Sequence, residues 1–160
     1  MNNSSIFSKL LIEVNVLLKS GNQPLLAICE ILKEQIEHYS WVGFYFMNDA
    51  TQILEIGPYA GLKTEHTKIP FGKGICGQVA NSAETFVVED VHEQDNYLAC
   101  SIDTKAEIVV PLFFENKLIG QIDIDSNVRK SFSKEDEAFL TKLCDLIAQH
   151  PSSFSSHLPE

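Results

Sequence analysis

The sequence has few of the features that mark membrane, exported or nucleic-acid-binding proteins. No apolar run approaches the roughly 18–20 residues that cross a bilayer, and the first 20 residues lack the basic start of an export signal. The chain of 160 residues carries only 12 Lys and Arg against 22 Asp and Glu, a formal net charge of -10. This charge repels phosphate backbones and anionic lipid heads, so we expect a cytoplasmic protein without nucleic-acid or membrane partners.

Cysteine is also scarce, and its spacing excludes a common type of site. The four cysteines, at positions 29, 76, 100 and 144, form no CxxC pair, so we expect no structural metal site. In a reducing compartment the thiols should be free at rest, and any disulfide would be transient and chemical. Cys29 and Cys144 fall on apolar helical stripes, where we expect both to be buried packing residues.

The hydrophobic patterns predict an α+β fold in a single domain. They indicate two helices, a hairpin, a short helix, a strand, a polar loop, a second hairpin and a last helix. Strands joined by tight turns favour antiparallel pairing, so we expect a central, mainly antiparallel sheet flanked by helices over residues 1–150. The segment 151–160 is rich in proline and serine and is predicted to be a loose tail.

Local signals mark three turns and caps. The second hairpin should turn at Glu115 and Asn116, and Asn22 is a possible cap of the second helix. Ser133, with Asp136 three residues later, has the pattern of a capping box before the last helix.

Three acidic residues are predicted to meet on one face of the second hairpin. Asp123 and Asp125 alternate with isoleucines in "IGQIDID" and therefore share a face. Pairing across the turn brings Glu107 opposite residues near 124. Such carboxylates repel unless a cation, an ammonium or a proton intervenes, so they are either a solvated sheet edge or an acid that holds a proton.

Two further patterns have both a structural and a functional interpretation. "FGKGICG" is a glycine-rich turn entering a helix, which favours an anion site and a thiolate at Cys76, or only a packed cysteine. Trp41 and Tyr45, four residues apart on a strand, form either core or a box for a small apolar or sulfonium-like group.

Five patterns occur together in this sequence: "FGKGICG", "VVEDVH", Cys100 at 24 residues after Cys76, "TKAEIVVPL" and "LIGQIDID". Their combination resembles the free methionine-(R)-sulfoxide reductases, which are single-domain members of the GAF fold. The resemblance covers about Trp41 to Asp125. It implies a methionine sulfoxide reductase of oxidative-stress repair that is recycled by thioredoxin, without cofactor or metal, and that commonly forms a homodimer.

The resemblance also implies a role for each matching residue. Cys100 attacks the sulfoxide, and Cys76 matches a second, redox-active cysteine. The acids hold the substrate and polarise or protonate its oxygen, and the aromatics surround its methyl group; these residues are Glu107, Asp123, Asp125, Trp41 and Tyr45.

One position departs from the better-known members, which have three cysteines. Ten residues before Cys76, where they carry another cysteine, this chain has His66. The chain therefore resembles a two-cysteine variant in which Cys76 resolves the oxidised Cys100. The helix-start argument alone favours Cys76 as the activated thiol. We follow the resemblance and expect Cys100 to be the nucleophile, because nearness to the acids suits its attack on sulfur.

The alternative function is a GAF module that binds a small amino acid as a sensor, without catalysis. A sensor pocket would use similar groups, but it has no need of two cysteines beside three acids. A thiol switch that responds to peroxide is a weaker alternative.

Overall fold

The computed structural model describes residues 3–98 and 103–159. Within them, four α-helices and six strands follow one another along the chain. They are α1 (Asn3–Ser20), α2 (Pro24–Gln35), β1 (Trp41–Asn48), β2 (Ile53–Ala60), β3 (Lys68–Pro70), α3 (Gly74–Ser82), β4 (Phe86–Val88), β5 (Ala106–Phe114), β6 (Lys117–Ser126) and α4 (Lys134–Ala148). Among these residues, no helix combines the length and the apolar character needed to cross a bilayer.

The strands form one six-stranded sheet in the order β3-β2-β1-β6-β5-β4, and every neighbouring pair is antiparallel. The predicted α+β class is confirmed. Glu115 and Asn116 have φ values of 51° and 65°, as the tight turn between two twisted strands requires. The hairpin pairs Glu107 with Asp125, one residue from the predicted partner.

Each face of the sheet packs against its own set of helices. Apolar residues of α1, α2 and α4 pack with Ile108, Ile122 and Ile124 in the larger core. The opposite face packs against α3 in a smaller cluster. Cys29 and Cys144 are buried in the larger core, as predicted, and burial raises the pKa of both thiols.

Two local features differ from the sequence prediction. β3 was not predicted, because its three residues include one β-branched residue and a proline, which does not indicate a strand. The predicted Asn22 cap is wrong: the N-cap of α2 is Gln23, at φ 53°, and its side chain makes no capping hydrogen bond. Pro24 takes the first helical position, where its missing N–H has no helical partner to lose.

The segment after residue 150 packs on the domain in its described part. Pro151–Ser153 and Ser155–His157 form 3₁₀ turns. Phe154, only 1% exposed, lies 5.4 Å from Phe114 between ring centroids, and His157 stacks on Phe46 at 5.1 Å. Residues 151–159 therefore differ from the expected loose tail, because Phe154 is buried and Leu158 also packs against the larger core.

Candidate active site

The sheet face beneath α3 carries a buried group of one thiol and three carboxyls. Cys76 Sγ and one oxygen each of Glu107 and Asp123 lie within 4.8 Å of one another. Glu107 is 4% exposed, and Asp123 and Asp125 are each 1% exposed. The structure thus brings the three acids together as the strand alternation predicted, and the alternative of a solvated sheet edge is wrong. We call Cys76, Glu107, Asp123 and Asp125 the acid–thiol cluster.

The electrostatics of the cluster are unusual because its three carboxyls are buried next to one another. Burial raises the pKa of Asp123, while hydrogen bonds with Glu107 and Cys76 act against that rise. Asp123 Oδ1 is buried without a hydrogen-bond partner among the described residues. Neighbouring carboxylates in a low dielectric avoid full ionisation, so the cluster is suited to holding a proton at neutral pH.

Cys76 is the third residue of α3 and is 4% exposed. Burial and then the charges of Asp123 and Glu107 raise the pKa of its thiol well above the usual range. Of the two interpretations of this helix start, the packed cysteine is therefore favoured over the thiolate, because desolvation and three acids outweigh a helix dipole of about half a charge. Cys76 rests as a thiol, which favours another cysteine as the nucleophile.

Three backbone amides of the glycine-rich turn and the start of α3 donate hydrogen bonds to oxygens of the protein. Gly72 N donates to Gly77 O at 2.7 Å, and Lys73 N donates to Pro70 O at 3.1 Å. Gly74 N donates to Asn96 Oδ1 at 2.8 Å. These three amides are engaged within the described residues and do not serve as an anion site.

Asn96 joins that turn to the loop that precedes residue 99, and sequence reasoning missed it. Its Oδ1 accepts from Gly74 N, and its Nδ2 donates to Gly72 O at 2.8 Å. Gly74 has a φ of +66°, and a Cβ there would lie 3.0 Å from Leu98 Cγ. The loop therefore lies tightly against the start of α3, through contacts more than 20 residues apart in sequence.

Trp41 and Tyr45 form a fixed aromatic wall beside the cluster. Both are buried on one strand face, with ring centroids 6.5 Å apart, and Tyr59, which the sequence analysis did not single out, stacks on Trp41 at 5.3 Å. Trp41 Nε1 donates to Leu62 O at 3.0 Å, and Tyr45 OH donates to His66 O at 2.8 Å. These bonds hold the rings at defined positions between the sheet and the segment 62–66.

Two cavities border the cluster. The wider one, of about 370 Å³, is lined by Trp41, Asp103, Thr104 and Asp125, among others, and has the size of a small-molecule site. The narrow one, of about 10 Å³, is lined by Tyr45, His66, Leu98 and three cluster residues, and is about large enough for one water.

Cys100, the predicted nucleophile, lies outside the described residues. The described residues on either side of 99–102 both border the site, Leu98 at the narrow cavity and Asp103 at the wider one.

Comparison with known proteins shows the family of the chain. The chain matches the GAF domain family over residues 24–150. It is 35% identical over 146 residues to the free methionine-R-sulfoxide reductase of Escherichia coli (strain K12), a match that covers 89% of this chain and 87% of that protein.

Solved structures give the same result. The free methionine-R-sulfoxide reductase from Neisseria meningitidis, in complex with its substrate, matches with a TM-score of 0.90 and 28% identity over 99% of this chain and 95% of that one. The type II free methionine-R-sulfoxide reductase from Thermoplasma acidophilum matches with a TM-score of 0.78 and 36% identity, covering 89% and 96%.

Proposed function

The chain belongs to the free methionine-R-sulfoxide reductases, oxidoreductases built on the GAF domain, and we propose that it reduces free L-methionine (R)-sulfoxide to methionine. The observation that carries the proposal is the acid–thiol cluster, where buried carboxyls lie beside a buried thiol and an aromatic wall. Sulfoxide reduction needs a sulfur nucleophile and a proton for the oxygen. The cluster supplies the proton.

In the first step, the Cys100 thiolate attacks the sulfoxide sulfur while an acid of the cluster gives a proton to the oxygen. The oxygen passes to Cys100, which becomes a sulfenic acid, and methionine is released. The methionine sulfur is reduced by two electrons and the Cys100 sulfur is oxidised by two. Glu107 and Asp123, whose oxygens lie within 4.8 Å of Cys76 Sγ, are the proposed acids.

In the second step, Cys76 attacks the sulfenic acid, a disulfide forms and water leaves. The hydrogen bond between the Cys76 thiol and Asp123 supports this step, because that carboxylate is placed to take the thiol proton. His66 stands where other members have a cysteine, so we assign resolution to Cys76 in a two-cysteine cycle. An external dithiol, which we propose to be thioredoxin, then reduces the disulfide, and no cofactor takes part.

The rest of the substrate has matching groups around the wider cavity. A free amino acid brings an ammonium, which Asp125 is placed to neutralise, and a methyl group that fits the Trp41–Tyr45 wall. We further propose a cytoplasmic homodimer, on the resemblance alone. An amino-acid sensor would use the same cavity, but it leaves the buried thiol beside two acids without a role.

Intact-mass measurement of the reduced full-length protein tests the proposal directly. After incubation with free methionine (R)-sulfoxide, the protein should lose two hydrogens as the disulfide forms, while the (S) epimer leaves its mass unchanged. An unchanged mass with the (R) epimer would leave the sensor as the function. The same loss with peroxide alone, at the same rate, would favour the redox switch.

Cys76→Ser tests the recycling step. The variant should release one methionine per protein, retain an oxidised Cys100 and then stall in the presence of thioredoxin. Cys144→Ser, which changes a thiol in the other core, is the matched control and should turn over repeatedly. Steady turnover by Cys76→Ser would assign resolution to another thiol.

A further inference from the structure

Three residues of the acid–thiol cluster form a set of ligand atoms suited to a metal ion. Cys76 Sγ and one oxygen each of Glu107 and Asp123 lie within 4.8 Å of one another, and each residue is at most 4% exposed. They come from the start of α3, from β5 and from β6. The tertiary fold assembles this set without any metal-ligand spacing in the sequence.

A second observation points independently to a ligand at this position. Asp123 is 1% exposed, yet its Oδ1 has no hydrogen-bond partner among the described residues. A buried carboxylate oxygen without a donor is unfavourable, and a bound cation relieves that cost. The narrow cavity of about 10 Å³ that Asp123 lines has room for an ion but not for an amino acid.

We propose that Cys76, Glu107 and Asp123 bind Zn²⁺ in the reduced protein. Zinc takes a thiolate at about 2.3 Å and carboxylates at about 2.0–2.2 Å, so tetrahedral ligand atoms lie roughly 3.5 Å apart. The three ligand atoms lie within 4.8 Å of one another, so side chains need to close by at most about 1 Å. Three protein ligands leave one coordination position open.

The donor set selects zinc over the common hard cations. Mg²⁺ and Ca²⁺ take oxygen ligands, whereas a thiolate favours softer ions such as Zn²⁺. Asp125, 1% exposed on the same strand face as Asp123, is a further carboxyl beside the site. Lys73, the lysine that lines the narrow cavity, is an exposed residue. Binding replaces the thiol proton of Cys76 with the metal and releases that proton.

Zinc binding would be linked to the redox state of the protein. The disulfide removes the Cys76 sulfur from the ligand set, so the oxidised protein retains only the two carboxylates. In the reduced protein, zinc occupies groups that the sulfoxide needs and inhibits turnover competitively. Unlike the binding itself, this consequence rests on the proposed function.

Titration with Co²⁺, a coloured probe for zinc sites, tests the binding in the reduced full-length protein without substrate. We expect a thiolate-to-cobalt charge-transfer band that saturates at one equivalent and disappears when Zn²⁺ displaces the cobalt. Cys76→Ser should abolish the band, and Glu107→Gln and Asp123→Asn should each weaken binding at least tenfold. Cys100→Ser should keep the one-to-one stoichiometry, and the exposed carboxyl variant Glu84→Gln should bind as the parent does.

Absence of the band at millimolar cobalt, or a band that survives Cys76→Ser, would overturn the proposal. Thermal unfolding without metal shows whether each variant folds. If Cys76→Ser does not fold, the two carboxyl variants decide: cobalt binding as tight as in the parent by both of them also overturns the proposal. Turnover of the metal-free parent protein, measured separately, distinguishes the two proposals. A cobalt band without sulfoxide reduction by the metal-free protein leaves the zinc site standing and removes the reductase, and turnover without a band does the reverse.

Discussion

Two buried aspartates in this molecule have opposite environments. Asp136, at the start of α4, is 0% exposed and has both oxygens engaged. Oδ1 lies 2.8 Å from His38 Nε2 and accepts from Tyr39 OH at 2.9 Å, while Oδ2 accepts from the amide and hydroxyl of Ser133 at 2.8 and 2.9 Å. Asp123 is as deeply buried but leaves Oδ1 without a donor among the described residues.

The difference appears in the direction of the two pKa shifts. Burial raises the pKa of Asp123. Burial acts in the same direction on Asp136, but hydrogen bonds from His38 and Ser133 outweigh it, and the pKa of Asp136 is lowered. A carboxylate with its full set of donors stabilises the fold, whereas one that is buried with an open oxygen is available to a ligand. Stability and chemistry are therefore assigned to different acids.

The largest expected effect concerns the chemistry. Cys100→Ser should reduce turnover of free methionine (R)-sulfoxide to background, because a hydroxyl cannot replace the thiolate that attacks sulfur. Cys144→Ser is the matched change in the larger core and should retain its activity per folded molecule. Normal turnover by Cys100→Ser in a coupled thioredoxin assay would contradict the assignment.

Glu107→Gln should slow the chemical step by roughly 10²–10⁴, the range typical of a lost general acid. Single-turnover release of methionine measures this step apart from recycling. Asp136→Asn, which neutralises a buried carboxyl outside the cluster, should leave the same rate unchanged in folded protein. An equal rate in Glu107→Gln would assign the acid elsewhere in the cluster.

Asp136→Asn should instead lower the free energy of unfolding, by about 1–3 kcal/mol. The amide group cannot accept all the hydrogen bonds that the carboxylate accepts, and the capping box at Ser133 loses one partner. Urea unfolding at pH 7 measures the change. Asp145→Asn, an exposed acid on the same helix, is the control and should change stability little.

Asp123→Asn should have the opposite sign and raise the free energy of unfolding, by about 1 kcal/mol, because it removes a buried charge that the fold does not fully compensate. For a chain of this length that is a rise in Tm of roughly 2–4 °C. Activity should fall at the same time. A loss of stability would show that Asp123 is a structural acid like Asp136.

The smallest effect is a pair of opposite pH dependences. The raised pKa of Asp123 gives stability below its unfolded pKa of about 3.9, and this is lost as pH rises through the folded value. The lowered pKa of Asp136 gives stability above about 3.9 that is lost as pH falls through its folded value. We therefore measure the free energy of unfolding from pH 3 to 8. Asp123→Asn should remove the loss of stability at rising pH, and Asp136→Asn should remove the loss at falling pH. Identical pH profiles for the two variants would contradict the comparison.

Much of the architecture and part of the site followed from local sequence patterns. Alternation in β6 puts Asp123 and Asp125 on one face, and the two-residue turn at Glu115 and Asn116 sets the register that brings Glu107 opposite Asp125. Ser133 and Asp136 form the capping box that their spacing predicted. Periodicity and turn chemistry depend only on neighbouring residues, so a single sequence is enough to show them.

Other features depend on contacts between distant segments. A helix start favours a thiolate at Cys76, but burial and then carboxyls from β5 and β6 raise the pKa of its thiol. Asn96 hydrogen-bonds to a turn more than 20 residues earlier in the chain. Phe154 is buried in the core, although its segment has the composition of a loose tail.

Local sequence is enough to set which side chains share a strand face and where the chain turns, because backbone geometry repeats over a few residues. The packing of distant elements sets which of those side chains lose water and which charges face them. Desolvation and Coulomb interactions act through space, between elements that are far apart along the chain.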